Sequence, residues 1–360
     1  MGKLSGIKVI DLSLFLPGPM LSMMMADHGA EVIKVEPPAG DPARQMEPME
    51  AGQSVWFRNL NRGKQAEALD LKSDTGRERL WDLLADADVM IEGFRPGVMK
   101  RLGFDYEAVA ARNPAIVYCS ISAFGQEGEM AHHPAHDLAV QALSGFLSVN
   151  DGTDGMPVVP GVPSADMAAG LNGLSAVLMA LIGREKTGKG DYVDIAMFDS
   201  MLPWCAHIAG GAISGGPPPV SQSQRSLGGA AFYQVYRTAD DRHVVLGARE
   251  VKFAKNLLTA LDRLDLLPLA ELEAGPPQAP LIAFLRETFA SRTRDEWVKW
   301  FADKDVAFSP VLDFREALDQ DFVKEKGLLV EADGAHQIGP SFAFRSEDPW
   351  QVTDSPELPE

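Results

Sequence analysis

Apolar residues along the chain follow two alternating rhythms. Residues 7–12 form a short run rich in β-branched side chains, and Leu16-Pro17-Gly18-Pro19 follows as a turn. A Met- and Leu-rich stretch with helical spacing leads to His28-Gly29, and a second β-rich run occupies residues 31–36. Strand, turn, helix and strand make a βαβ unit, with Gly29 suited to the left-handed residue that ends a helix. Further on, residues 73–87 predict a helix, 88–92 a buried strand, 106–112 a helix and 115–122 a strand. Strands separated by helices build a mostly parallel sheet covered on both faces, hence an α/β fold. Such sheets bind ligands beyond the carboxyl ends of their strands, which singles out the turns at 15–19, 93–97 and 123–137.

Residues 166–185 predict a long apolar helix, closed by Lys186-Thr187-Gly188-Lys189-Gly190, where basic residues and glycine suit a C-terminus. A strand pattern resumes over 191–197. From 210 to 229 the composition shifts to Gly, Pro, Ser and Gln, the signature of a linker or an active-site loop. Residues 231–318 mix strands at 232–237 and 243–247 with helices, as a smaller second domain does, and the Pro-rich segment after Asp348 reads as extended.

Composition narrows the function classes. A chain of 360 residues predicts about two domains. It carries 33 Lys plus Arg against 51 Asp plus Glu, a net charge of −18, which argues against nucleic-acid or anionic-membrane partners. A local basic pocket can still hold a small anion. Only Cys119 and Cys205 occur, too few for a disulfide framework, and a reduced cytoplasm fits best. No uninterrupted apolar run has the length of a membrane span. The first βα turn has one glycine, so the dinucleotide fingerprint is missing, as are a phosphate-binding P-loop and a Gly-x-Ser-x-Gly nucleophile elbow.

The chemically informative residues are His132-His133-Pro134-Ala135-His136-Asp137 and Ser164-Ala165-Asp166-Met167. Asp166, at a helix start, reads either as an N-cap or as a carboxylate steadied by free amides. Pro134 breaks the helical face that a histidine ligand pair needs, so no metal site is expected. Met20, Met23, Met24 and Met25 read as core filler or as a flexible groove for an apolar chain, with Trp56, Phe57, Phe124 and Trp204 as candidate neighbours.

Several segments together resemble a known family. They are 4–12 (LSGIKVIDL), 29–36 (GAEVIKVE), 70–72 (DLK), 88–97 (DVMIEGFRPG) and 188–194 (GKGDYVD). In this order they are similar to the family III CoA-transferases, a superfamily that also holds the α-methylacyl-CoA racemases. The resemblance implies acyl-CoA as substrate and no resident cofactor. It implies a Rossmann-like large domain made by both ends of the chain, 1–188 and 320–360, a small α+β domain over 189–319, and an interlocked homodimer. In the transferases the aspartate matching Asp166 is the nucleophile. In the racemases the residues matching His136 and Asp166 are the two bases, the amide matching Asp137 is the oxyanion donor, and the glutamate matching Glu250 orients the histidine.

Occupied His136 and Glu250 positions favour the racemase, with the transferase as alternative and a silent acyl-CoA-binding protein as a third class. Gln141-Ala142-Leu143-Ser144-Gly145 and the residues after Asp166 look more like transferase segments. The resemblance puts Gly93, Phe94, Arg95 and Arg101 against the nucleotide, with Asn61 and Arg62 nearby. Lys64, Lys72 and Lys100 are further candidate cations for the CoA phosphates. Pro37 and Pro38 stand where the family commonly has an arginine, and Arg44 is the candidate substitute.

Overall fold

The computed structural model describes residues 2–152, 154–332 and 334–358, and the chain divides into two compact units. The larger comprises 1–144, 160–204 and 320–360, the smaller 145–159 and 205–319.

The large unit begins with β1 (Lys8–Asp11), α1 (Pro17–Asp27) and β2 (Glu31–Glu36). There follow α2 (Val55–Asn61), β3 (Gln65–Ala68), α3 (Asp74–Leu84), β4 (Val89–Glu92), α4 (Val98–Leu102), α5 (Tyr106–Arg112) and β5 (Val117–Ser122). Then come α6 (Asp137–Leu143), α7 (Ser164–Thr187) and β6 (Asp191–Ala196). The six strands pair in parallel in the order β3-β2-β1-β4-β5-β6. This is the doubly wound order, whose reversal between β1 and β4 opens a crevice at their carboxyl ends. Both faces are covered, so β4 reads as unbroken Val89-Met90-Ile91 with no exposed side.

The sequence reading ends the large domain at 188 and gives 189–319 to the small one. The strand Asp191–Ala196 instead extends the parallel sheet beside β5, and 145–159 joins the smaller unit. The strand's register against Val117–Ser122 explains the difference: a parallel partner can come from far along the sequence.

α7 is long and apolar enough to cross a membrane by length and composition alone, yet it is a core helix of this unit. Ala168, Ala169, Gly170, Gly173 and Val177 form its buried face. Gly170 and Gly173 are there because α1 comes too close for a side chain. A Cβ on Gly170 would lie 2.8 Å from the backbone oxygen of Pro17, and one on Gly173 2.8 Å from Leu21 Cδ1. Met20, Met23 and Met25 are buried, which settles them as core filler.

Residues 320–358 return to the large unit and are tied to its early segments. Gly63 N donates to Asp354 O at 2.9 Å, Arg44 Nη1 to Pro356 O at 2.9 Å, and His28 Nδ1 lies 3.1 Å from Glu347 Oε2.

In the small unit, β7 (Tyr233–Arg237), β8 (His243–Gly247) and β9 (Phe308–Pro310) form an antiparallel sheet with β8 central. Against it lie α8 (Val251–Ala260), α9 (Ala279–Phe289) and α10 (Arg294–Phe301), around a core of Tyr236, Leu246, Leu257, Leu285, Phe289 and Trp297. Trp297 is buried whole because its Nε1 donates to Phe289 O at 2.9 Å.

Two glycines of α7 should respond oppositely to alanine. Gly183 has open space at its Cβ, so Gly183→Ala gains about 0.5–1 kcal/mol of helix propensity. Gly170→Ala forces α7 off the Pro17 backbone and loses about 1–3 kcal/mol. Urea unfolding of the two variants measures both signs.

Candidate functional site

The site is built outward from the end of β1. Asp11 closes that strand with its carboxylate fully buried. Oδ1 accepts from the amide of Ser13 at 2.9 Å and from its hydroxyl, and Oδ2 accepts from Ser22 Oγ at 2.5 Å and Lys64 Nζ at 3.1 Å. Burial alone would push this carboxyl up. The charges of Lys64 and Lys34 and the serine hydrogen bonds outweigh it and hold the pKa down to about 2.

Lys64 has no donor left over: its Nζ meets Asp11 Oδ2, Pro19 O at 3.0 Å and Asn61 Oδ1 at 2.8 Å. Its own burial lowers its pKa to about 8 despite the attraction of Asp11. Lys34 Nζ donates to Ser13 O at 2.8 Å and pairs with Asp41 Oδ2 at 2.9 Å.

This network fixes the turn that follows β1. Within it Phe15 takes a left-handed backbone, φ 63°, and its side chain is exposed. A non-glycine residue in that region is held by its surroundings, here partly by Trp56 Nε1, which donates to Phe15 O at 3.3 Å. Phe57, in contrast, is core, stacked under the Arg44 guanidinium at 3.9 Å.

Asp166 is the third residue of α7, one turn before Gly170 and on the same face, the face that α1 approaches at Pro17. It is not the N-cap, since that position is Pro163, which has no side-chain acceptor. The acceptor comes from α6: Asp137 Oδ1 takes the amides of Ala165 at 2.8 Å and Asp166 at 3.2 Å, and Oδ2 takes Gln141 Nε2. The half-buried carboxyl of Asp166 is thereby released from capping. Its desolvation, with the like charge of Asp137 adding to it, raises its pKa to about 7.

His136 is the N-cap of α6, with an exposed ring and a carbonyl that accepts from Ala139 and Val140. The Asp137 amide is among the first-turn N–H groups that have no intrahelical acceptor. His136, Asp137 and Asp166 are therefore gathered at two joined helix starts. Glu250 belongs to the small unit. It is the exposed N-cap of α8, and its Oε2 accepts from Arg249 N at 3.0 Å.

The expected nucleotide contacts divide in two. Asn61, Arg62 and Lys64 are interior residues. Arg62 grips Asp27 through Nε at 2.8 Å and Nη2 at 2.6 Å, and Asn61 Nδ2 donates to Phe57 O at 3.0 Å. Arg44, the candidate replacement for the family arginine, is paired bidentately with Glu36 at 2.7 and 2.6 Å. The second set lies at the carboxyl end of β4. Gly93, Arg95, Lys100 and Arg101 are exposed there, while Phe94 is half-buried against the core. Arg95 and Lys100 line a cavity of about 590 Å³ with Glu92, Gln126, Tyr118 and Tyr192. Burial pushes Glu92 up to about 7.

Sequence reasoning missed two features. The Asp137 side chain binds α7 across 29 positions, beyond any local capping pattern. The lysine inside Glu31-Val32-Ile33-Lys34-Val35-Glu36 was the available signal for the second, because a lysine in a buried strand requires a buried counter-charge.

Comparison with known proteins places these observations. The model of CoA-transferase family III matches residues 4–359. An acetyl-CoA:oxalate CoA-transferase of Acetobacter aceti is 33% identical, covering 100% of this chain and 94% of that protein. A human alpha-methylacyl-CoA racemase is 34% identical over 92% of this chain and 83% of its own. The crystal structure of a CAIB/BAIF family protein from Brucella suis superposes with a TM-score of 0.87 at 30% identity, covering 99% of this chain and 96% of that one.

Asp166 should act on stability in a definite direction. A carboxyl whose folded pKa is raised weakens the fold as pH climbs above its unfolded value, fully so above about 7. Asp166→Asn should therefore gain about 1–3 kcal/mol at pH 8 and little or nothing near pH 4. Thermal melts at the two pH values check this.

Proposed function

Because this chain belongs to CoA-transferase family III, we propose that it is an acyl-CoA enzyme, and specifically one that racemises an acyl-CoA at its α-carbon. The observation that carries the proposal is the pairing at the two joined helix starts: an exposed imidazole beside α6, and on α7 a half-buried carboxyl that takes no hydrogen bond among the described residues and whose pKa is raised to about 7. A base on each face of the α-carbon, one to take a proton and one to give one, is what 1,1-proton transfer requires. One of His136 and Asp166 removes the α-proton, and the C–H electron pair moves onto the thioester carbonyl as an enolate. The amide of Asp137 meets the oxyanion, and the other base returns a proton on the opposite face. Glu250 enters as the orienter of His136 on the strength of the sequence resemblance alone. Arg95, Lys100 and Arg101 are the exposed cations proposed for the CoA phosphates.

A second reading is favoured by the printed names of relatives such as the Acetobacter aceti transferase. There the Asp166 carboxylate attacks a donor thioester and expels CoA thiolate, leaving a mixed anhydride. The thiolate returns to the aspartyl carbonyl and releases the donor acid. The resulting aspartyl-CoA thioester then passes CoA to a second acid. We also propose a homodimer, supported by the apolar Leu171, Met179 and Ile182 that α7 leaves exposed.

Incubating the protein with a 2-methylacyl-CoA in heavy water, without any acceptor acid, should place deuterium at the α-carbon. His136→Ala should reduce that exchange by about 10²–10⁴-fold. No label, together with a hydroxylamine-sensitive adduct on Asp166, overturns the racemase in favour of the transferase.

A further inference from the structure

The start of α7 lacks a cap of its own, and a carboxylate from a different helix supplies it. Pro163 contributes no acceptor, so the amides of Ala165 and Asp166 would be orphaned at a half-buried helix end. An acidic residue in the third position ordinarily turns its own carboxylate back onto such amides. Asp166 does not, because Asp137 already occupies both. Asp137 is held in turn by the buried Gln141, so both of its oxygens are engaged.

Resting on the reading that Asp166 is the reacting carboxyl, we propose that Asp137 is a positioning residue. Its carboxylate fastens the first turn of α7 to that of α6, holds the starts that carry Asp166 and His136 together, and leaves the Asp166 carboxyl free for substrate.

The fastening carries a charge as well as a shape. Three donors hold the Asp137 carboxylate in place, and its like charge opposes ionisation of Asp166. The other ionisable groups on elements packed against α7 are placed or paired elsewhere. α1 brings only Asp27, bound to Arg62. β5 brings Tyr118 and Cys119, and β6 brings Asp191, Tyr192 and Asp194. Tyr118, Tyr192 and Asp194 line the cavity at Glu92, Cys119 faces Gly173 two turns along α7, and Asp191 is exposed. His136, on α6, is the remaining group, and its ring is exposed.

The test is a carboxyl ¹³C NMR titration of aspartate-labelled protein, with Asp166 assigned by its loss in Asp166→Asn. Asp137→Asn keeps an oxygen for the α7 amides and removes the charge. The Asp166 midpoint should fall from near 7 by at least about half a unit, with the melting temperature little changed. The acidic limb of kcat/KM should move the same way. In Asp137→Ala, hydrogen exchange at Ala165 and Asp166 should quicken by about tenfold as the two bonds are lost. An unmoved midpoint in Asp137→Asn, or unchanged exchange in Asp137→Ala, overturns the proposal. Neither titration nor exchange needs a substrate. If both behave as expected while Asp166→Asn retains full activity, the catalytic reading of Asp166 fails and the positioning role stands.

Discussion

The architecture of this site depends on a buried charge cluster at the end of β1. Asp11, Lys34 and Lys64 are all withdrawn from water, which is costly unless every charge is met. Here each is met: Asp11 by Lys64, Ser13 and Ser22, Lys64 also by Asn61 and the Pro19 carbonyl, and Lys34 by the buried carboxylate of Asp41 and the Ser13 carbonyl. The members come from β1, β2, α1 and the segment after α2, so the cluster joins one edge of the crevice to the helix that follows it. Removing one ion would strand the rest, and this makes the turn at Ser13 to Leu16 a rigid feature.

From that turn the order passes to α7 by contact. α1 starts where the cluster fixes it, and Gly170 lets α7 lie directly on the Pro17 backbone. The carboxyl one turn earlier is thus set by the fit of two helices, and its orientation is refined by the bond from α6. Scaffold and chemistry are linked through backbone atoms, for which a substituted side chain cannot easily compensate.

Much of the scaffold was legible in the sequence because it is periodic. The helix at Tyr106–Arg112 and the strand at His243–Gly247 have the bounds their patterns predict. Gln65–Ala68 escaped notice, since an edge strand of Gln, Ala and Glu has no β-branched signature, and it pairs only because β2 offers a partner. The helix start at Asp137 was hidden inside a stretch read as a turn. At the candidate site, the sequence singled out His136, Asp137 and Asp166, which the fold brings to two joined helix starts, but it gave Asp137 a role for its amide alone. It also read Arg44 and Lys64 as cations available to phosphate. A basic residue looks the same in sequence whether it faces solvent or an internal carboxylate, and only the fold distinguishes these cases.

The return of the last segment to the large unit bears on how the chain is made. Synthesis runs from the N-terminus, and domains tend to fold as they emerge. The small unit is complete once Asp319 has left the ribosome. The large unit at that moment still has Gly63 and Arg44 without the carbonyls of Asp354 and Pro356, and His28 without Glu347. The unit begun first is therefore the last to close: its six strands are all synthesised by Ala196, yet the segments beside them wait for the final forty residues or so to tie them down.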